Sequence, residues 1–284
     1  MKIEVREAAE ADLAAIAAVA TATGQVEEWS GSDPAYIRHL LAHGLVLVAE
    51  REGGVAGFGA TLRIGDGPAA VTMLCDLFVN PEAHGLGIGQ ALLAALWEPA
   101  SPRMTFSSLH AHALPVYTRA GLDAWWPLLY LGGHPGALPR APRWTVAATS
   151  PEEVAALEAE WTGIDRSADH RAWAARPGGQ PVTARHGGAV LAAGTVAGEE
   201  AEYGIAHLAL SPAAGDHGAV EAVTAVLASL SPPDGRARVC LPGPHPAVRP
   251  LLAAGWHVGF LDVFMATDPS LLDPRRAVPS PAMA

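Results

Sequence analysis

The run Leu74 to Leu93, LCDLFVNPEAHGLGIGQALL, constrains the fold more than any other stretch: an apolar strand feeds a proline and then a glycine-rich turn that opens a helix. Gly85, Gly87 and Gly89 place no Cβ between the backbone and a ligand. The helix that follows turns unpaired N–H groups and the positive end of its dipole toward the same point, which suits an anion such as a pyrophosphate. By spacing alone, a tight strand-to-helix bend with no ligand remains the alternative. A Rossmann dinucleotide turn belongs in the first βα unit of a domain, and this one comes too late. A P-loop is excluded because no Gly-Lys-Ser/Thr follows the glycines.

Around this turn the pattern supplies a series of elements. Ile3 to Arg6 alternate as a strand, and Leu13, Ile16 and Val19 mark one face of a helix over Ala9 to Ala22. A second helix starts at Ser32-Asp33-Pro34 and carries Tyr36, Ile37, Leu40 and Leu41. Leu45 to Glu50 and Val55 to Ile64 form a hairpin, followed by the strand that ends at Val79. Ile88, Leu92 and Leu96 stripe the helix after the glycines. A strand over Met104 to Leu109, a short helix over Pro115 to Ala120 and a last strand over Leu122 to Leu131 complete the set.

The order strand, Val79, Pro81, Gly85-Leu86-Gly87-Ile88-Gly89, Ala91-Leu92-Leu93 resembles the acyl-CoA motif of GCN5-related N-acetyltransferases (GNATs), and β-α-α-β-β-β-α-β-α-β is the GNAT element order. The resemblance covers about residues 1–133. The family's Arg or Gln, two residues, Gly, one residue, Gly or Ala falls on His84, Gly87 and Gly89, so His84 is a departure that leaves an imidazole to donate to the pyrophosphate.

Residues 135–142 lie in a Pro/Gly-rich stretch with little capacity to pack, read as a linker between residues 1–134 and 143–268. Beyond it the earlier order repeats, with Pro212 in the place of Pro81. That alignment sets Gly218 on Gly87 but Val220 on Gly89 and Asp216 on Gly85, and Leu251 stands where Tyr117 does. The fold expected is therefore α/β: two tandem GNAT folds, each a mostly antiparallel mixed sheet flanked by helices, with a catalytic first copy and a degenerate second. WTGIDRSADH, which holds Asp165, Arg166, Asp169 and His170, has a counterpart in the resembling tandem proteins and reads as a capping and ion-pair network. The Pro-rich tail 269–284 reads as mobile.

What the resemblance implies about chemistry rests on named positions. Backbone N–H groups of Leu77, Phe78 and Val79 polarise the thioester and bind the pantetheine arm, those of Gly85, Leu86, Gly87, Ile88, Gly89 and Gln90 hold the pyrophosphate of acetyl-CoA, and the His84 imidazole can donate to it. Tyr117 matches the family tyrosine four residues before the closing Gly121, and a phenol with a pKa of about 10 is protonated at neutral pH, as an acid toward the departing sulfur requires. Asp76 is the candidate base or amine ligand, with a solvated strand-end carboxylate as the plainer reading. Glu27, Glu28 and His110 are candidates for contact with the acceptor, and His110 and His112, alternating on a strand, share one face. Neither is assigned to a metal, since no third ligand accompanies them. Cys75 has no evident histidine partner, which disfavours an acyl-enzyme.

The predicted activity is transfer of an acetyl group to the amine of a small molecule by direct attack in a ternary complex. Rivals are a different acyl-CoA or an acyl carrier protein as donor in secondary metabolism, or a non-catalytic acyl-CoA-binding module. A formal charge of −11 argues against nucleic acid and favours a cationic amine. Two cysteines exclude a disulfide framework, and the acidic start and lack of a long apolar run argue against a signal peptide or membrane span. A cytoplasmic monomer or homodimer is expected.

Overall fold

A computed structural model describes residues 3–24, 34–67, 70–97, 101–139, 141–198, 203–230 and 235–283. They pack into two compact units, one drawn from 1–105, 112–123 and 266–268, the other from 106–111, 124–265 and 269–284.

In the first unit the chain runs β1 (Glu4–Glu7), α1 (Leu13–Ala22), α2 (Pro34–His43), β2 (Gly44–Arg51), β3 (Gly54–Ile64), β4 (Val71–Val79), α3 (Ile88–Leu96), β5 (Arg103–Ser107) and α4 (Ala113–Arg119). The strands lie in the order β1-β2-β3-β4-β5, antiparallel except for the parallel pair β4–β5. Glu52 and Gly53, both with positive φ, close the β2–β3 hairpin as a two-residue turn whose twist matches the strands. Two glycines in β3 let α3 approach the sheet. A Cβ on Gly57 would meet Phe78 O at 2.8 Å and Ile88 Cγ2 at 3.1 Å, and one on Gly59 would meet Leu96 Cδ1 at 2.7 Å. That close seating fixes the start of α3 beside the end of β4. Leu92 and Ile16 are buried in this core.

The second unit holds β6 (Asp123–Gly133), β7 (Trp144–Ala148), α5 (Pro151–Thr162), α6 (Ser167–Ala174), β8 (Gln180–His186), β9 (Ala189–Ala197), β10 (Gly204–Leu210), α7 (Gly215–Ser229), β11 (Ala237–Pro242), α8 (Val248–Ala253), β12 (His257–Ala266) and β13 (Ala277–Val278). Its strand order is β12-β6-β11-β10-β9-β8-β7, with β13 on β10. Ala219, Val223, Val226 and Leu227 of α7 bury against Val182, Val196 and Leu208. At α5, the Ser150 side chain accepts from Glu153 N at 3.1 Å, Pro151 opens the first turn, and left-handed Gly163 ends it.

Three features differ from the sequence reading. The strand that closes the first copy in sequence, β6, is paired along its length with β11 of the second, from Ala237↔Gly133 to Pro242↔Leu128. Its side chains reinforce that choice: Trp126 stacks on Phe264 at 4.3 Å, and Tyr130 donates its hydroxyl to Asp262 at 2.6 Å. The 135–142 stretch is not merely a spacer, because Leu138 is buried in the second core. Nor is the tail mobile: β13 pairs with β10, and Val278, Ser280 and Met283 are buried.

Candidate functional site

The first copy's site begins at a break in β4. Ala60 pairs with Asp76 and Thr61 with Leu74, which leaves Cys75 as the extra residue of a β-bulge. The bulge turns Asp76 inward. It is 5% exposed, and its Oδ2 accepts a hydrogen bond from the Tyr36 hydroxyl of α2 at 2.8 Å. Asp76 is therefore a buried, oriented carboxylate and not a solvated strand end.

Parallel pairing of β4 with β5 runs from Thr72↔Arg103 to Leu74↔Thr105 and stops there, where the Thr105 hydroxyl donates to Leu74 O at 2.9 Å. Residues 76–79 continue to pair with β3 on their other side. Successive N–H groups of a strand point to opposite edges, so alternate ones over this stretch face the edge that β5 has left. Leu77, Phe78 and Val79 are half-buried along it.

Asn80 ends the strand by accepting from Glu82 N at 3.2 Å, and a 3-10 turn over Pro81–Ala83 leads to the glycines. Gly85 (φ 78°) and Gly87 (φ 84°) are both left-handed, and nothing lies within 4 Å of a Cβ built on either. Here the conformation itself demands glycine. Gly87 caps α3, whose first backbone bond is Ala91 N to Gly87 O at 3.0 Å, so the N–H groups of Ile88, Gly89 and Gln90 precede the helix's own ladder. No acidic residue occupies that first turn. Two left-handed glycines, open space and a run of orphan donors fit the diphosphate of an acyl-CoA.

His84 departs from the expected role. Its Nε2 donates to Val79 O at 2.9 Å, and its ring stands edge-on to His112 at 6.4 Å. The imidazole thus braces the strand end against the glycine turn. Leu86 is exposed at the loop tip.

Tyr117 of α4 is 8% exposed, with its ring 6.3 Å from that of Trp97, which follows α3. Arg103 lies over the other ring at 5.3 Å, and burial holds its pKa below the usual guanidinium value. Left-handed Gly121 (φ 90°) closes the helix. His110 and His112 do not share a strand face, because β5 ends at Ser107. His112 stands at the N-cap position of α4 with no side-chain capping bond, and His110 is exposed on the loop between, within the part of the chain that packs with the second unit. Glu27 and Glu28 lie outside the described residues.

The second copy keeps the scaffold and loses the cradle. With Pro212 on Pro81, Ala206 falls on Cys75, and β10 has its bulge there, between Ile205 and His207. Parallel pairing of β10 with β11 ends at Ile205↔Val239, and Ile205 corresponds to Leu74. The 3-10 turn Pro212–Ala214 repeats Pro81–Ala83, but α7 begins at once at Gly215, so the residues aligned with the first copy's open loop fall within the helix, and only Gly215 keeps a positive φ, of 61°. Asp216 then sits in the first helical turn, ion-paired with Arg275, which lowers its pKa.

In place of Asp76 the second copy has His207, 6% exposed and stacked on Trp173 at 4.4 Å. Glu158 of α5 accepts from His170 Nε2 at 2.6 Å and from His207 Nε2 at 3.1 Å. Burial opposes the Glu158 charge, but His207, His170 and Arg166 together hold its pKa well below the usual carboxylate range. Burial also depresses the His207 pKa, against the raising effect of the Glu158 charge. The three donor atoms lie within 4.8 Å of one another, close enough for a cation. Ligation through both Nε2 atoms would, however, leave each ring proton on a buried Nδ1 without a partner among the described residues. The arrangement fits a carboxylate satisfied by two imidazoles.

Sequence reading missed Tyr36, Glu158 and His207 as site residues. Tyr36 and Glu158 reach their partners across 40 and 49 positions, and only the fold joins them. His207 was legible, since the proline alignment places it on Asp76.

Residues 42–121, from the end of α2 to Gly121, match the family model of the acetyltransferase (GNAT) domain. Solved structures extend the likeness to the whole chain. A Pyrococcus horikoshii protein provisionally described as an acetyltransferase superposes with a TM-score of 0.76 at 13% identity over 99% of this chain and 96% of its own. A tandem GNAT protein from the clavulanic acid biosynthesis pathway gives 0.65 at 17% over 94% and 99%. A GCN5-related N-acetyltransferase from Sphaerobacter thermophilus gives 0.56 at 15% over 99% and 98%. Among curated proteins none matches. Residues 42–121 thus resemble a GNAT domain, and the fold over nearly the whole chain is that of tandem GNAT structures. No helix among the described residues is long and apolar enough to cross a membrane.

Proposed function

We propose that the chain is an acetyl-CoA-dependent N-acetyltransferase that acts on the amine of a small molecule by direct attack in a ternary complex, using only its first copy. The observation that carries this reading is the left-handed Gly85/Gly87 turn at the start of α3, set beside the edge of β4 that β5 leaves after Leu74. Acetyl-CoA bound there supplies an activated thioester acyl group. N–H groups from Gly85 to Gln90 hold the diphosphate charge, and those of Leu77 to Val79 on the open edge orient the donor arm and polarise its carbonyl oxygen.

Asp76, fixed by the Tyr36 hydroxyl, binds the ammonium form of the acceptor or takes its proton. The net charge of −11 draws a cationic amine toward the protein. Tyr117 delivers its phenolic proton to the leaving sulfur. Tyr117→Phe tests the assignment: turnover should fall by about 10²-fold or more, while acetyl-CoA affinity is retained. Unchanged turnover would remove Tyr117 from the chemistry. Acetyl-CoA binding without transfer to any of a broad amine panel would leave a non-catalytic acyl-CoA module.

A further inference from the structure

The second unit has a strand on the edge that corresponds to β4 beyond Leu74, where no parallel strand pairs among the described residues. β10 pairs with β9 on one edge through Leu208↔Gly194 and Ala209↔Ala193. β11 leaves the other edge after Ile205, and β13 takes it over, with Leu208↔Val278 and Ala209↔Ala277 antiparallel. Leu208 and Ala209 correspond to Leu77 and Phe78, the residues assigned above to the donor arm. The tail therefore lies along the groove that follows from the shared bulge and the shared splay.

Its other contacts fall at the two ends of that groove. Before β13, Arg275 pairs with Asp216 in the first turn of α7, the place of the diphosphate cradle. After it, Ser280 and Met283 are buried, and the Met283 carbonyl accepts from Arg166. Arg166 is 6% exposed, salt-bridged to Asp169 at 2.9 Å and 4.9 Å over the Trp173 ring, which in turn stacks on His207, the counterpart of Asp76. Running antiparallel to β10, the tail meets helix N-terminus, strand edge and buried polar centre in the order in which an acyl-CoA and its acceptor would fill the first copy.

We propose that the second copy has become a peptide-binding site whose ligand is the chain's own segment 273–283, held by β-strand addition, and that this self-ligand closes the copy to acyl-CoA. The correspondence with a cofactor rests on the function proposed above; the peptide site does not. An aspartate and a helical turn replace the anion cradle, so release of the tail exposes a strand-accepting edge and not a second cofactor site.

The test is amide hydrogen exchange of the full-length protein and of Val278→Asp, which puts a charge at a fully buried strand position. Of the amides of 208–210, those that face β13 should exchange at least tenfold faster in the variant while β8, β9 and α7 keep their protection. A synthetic peptide of residues 273–283 should restore protection when added in trans. Unaltered exchange at 208–210, or no restoration by millimolar peptide, would overturn the proposal. So would a second acetyl-CoA site in Val278→Asp. Should that variant not fold, exposed Arg275→Ala is the substitute: faster exchange confined to 277–278 and 208–210 supports the proposal, and no change contradicts it. Tail release in a protein that binds no acyl-CoA would sink the proposed function and leave this inference standing.

Discussion

The two strand-to-helix turns of this chain share a bulge, a splay point and a 3-10 turn, yet only one opens into a loop with two left-handed glycines. Between Ala83 and Ile88 four residues stay out of the helix, two of them in left-handed conformation, and the space beside them is open. Between Ala214 and Gly215 there is no such interval, and Asp216 enters the first helical turn. The proposed donor site therefore needs more than strand geometry. What distinguishes the copies is whether the backbone stays unwound long enough to turn several N–H groups toward one point.

That contrast can be broken most forcefully at the proton donor. Tyr117→Phe should lower kcat by about 10²–10⁴-fold, whereas Leu251→Ala, its counterpart in the second copy, should lower Tm and leave kcat of the folded fraction unchanged. A kcat loss in the Leu251 variant would mean that the second copy shares in catalysis. Next in size is the cradle. Gly87→Glu imposes a strained φ and a carboxylate on the diphosphate, and acetyl-CoA affinity should fall by about 100-fold or more, the loss of two charge-assisted hydrogen bonds; isothermal titration reads it directly.

The second copy has its own expected signature in acid. Burial, then the Arg275 and Arg276 charges, depress the His245 pKa to about 4. Its Nδ1 accepts from Ala247 N at 3.1 Å, a bond that protonation there would cancel. The unfolded chain takes up this proton near pH 6.5 and the folded chain only near 4, so stability falls as pH drops through that window, by at most about 3 kcal/mol. Urea titrations at pH 7 and 4.5 should show that slope, flattened in His245→Gln. Smaller still is the effect at Asp76: Tyr36→Phe removes one hydrogen bond from its carboxylate and should cost about tenfold in kcat/KM for the amine, with the acetyl-CoA affinity untouched.

Much of the fold was legible because periodicity and turn residues are local. The strand before Val79, the cradle glycines, the helix striped by Ile88, Leu92 and Leu96, and the repeat seen through Pro81 and Pro212 all follow from neighbouring residues. The partner of β6 was not legible, since the same alternating strand suits either copy and Trp126 and Tyr130 find Phe264 and Asp262 only after folding. Pro274, Pro279 and Pro281 suggested a mobile tail, yet proline is tolerated beside an edge strand, and Val278 and Met283 supplied enough apolar surface to dock it. Tyr36 carried no local sign of its role, because the bulge that turns Asp76 toward it is a property of strand register.

Whether one copy binds the donor and the other does not is read by titrating the protein with acetyl-CoA in a calorimeter. One site per chain is expected, lost in Gly87→Glu and retained in Gly218→Ala, which alters the corresponding position of the second copy. Two sites, or one site that survives Gly87→Glu, would contradict it.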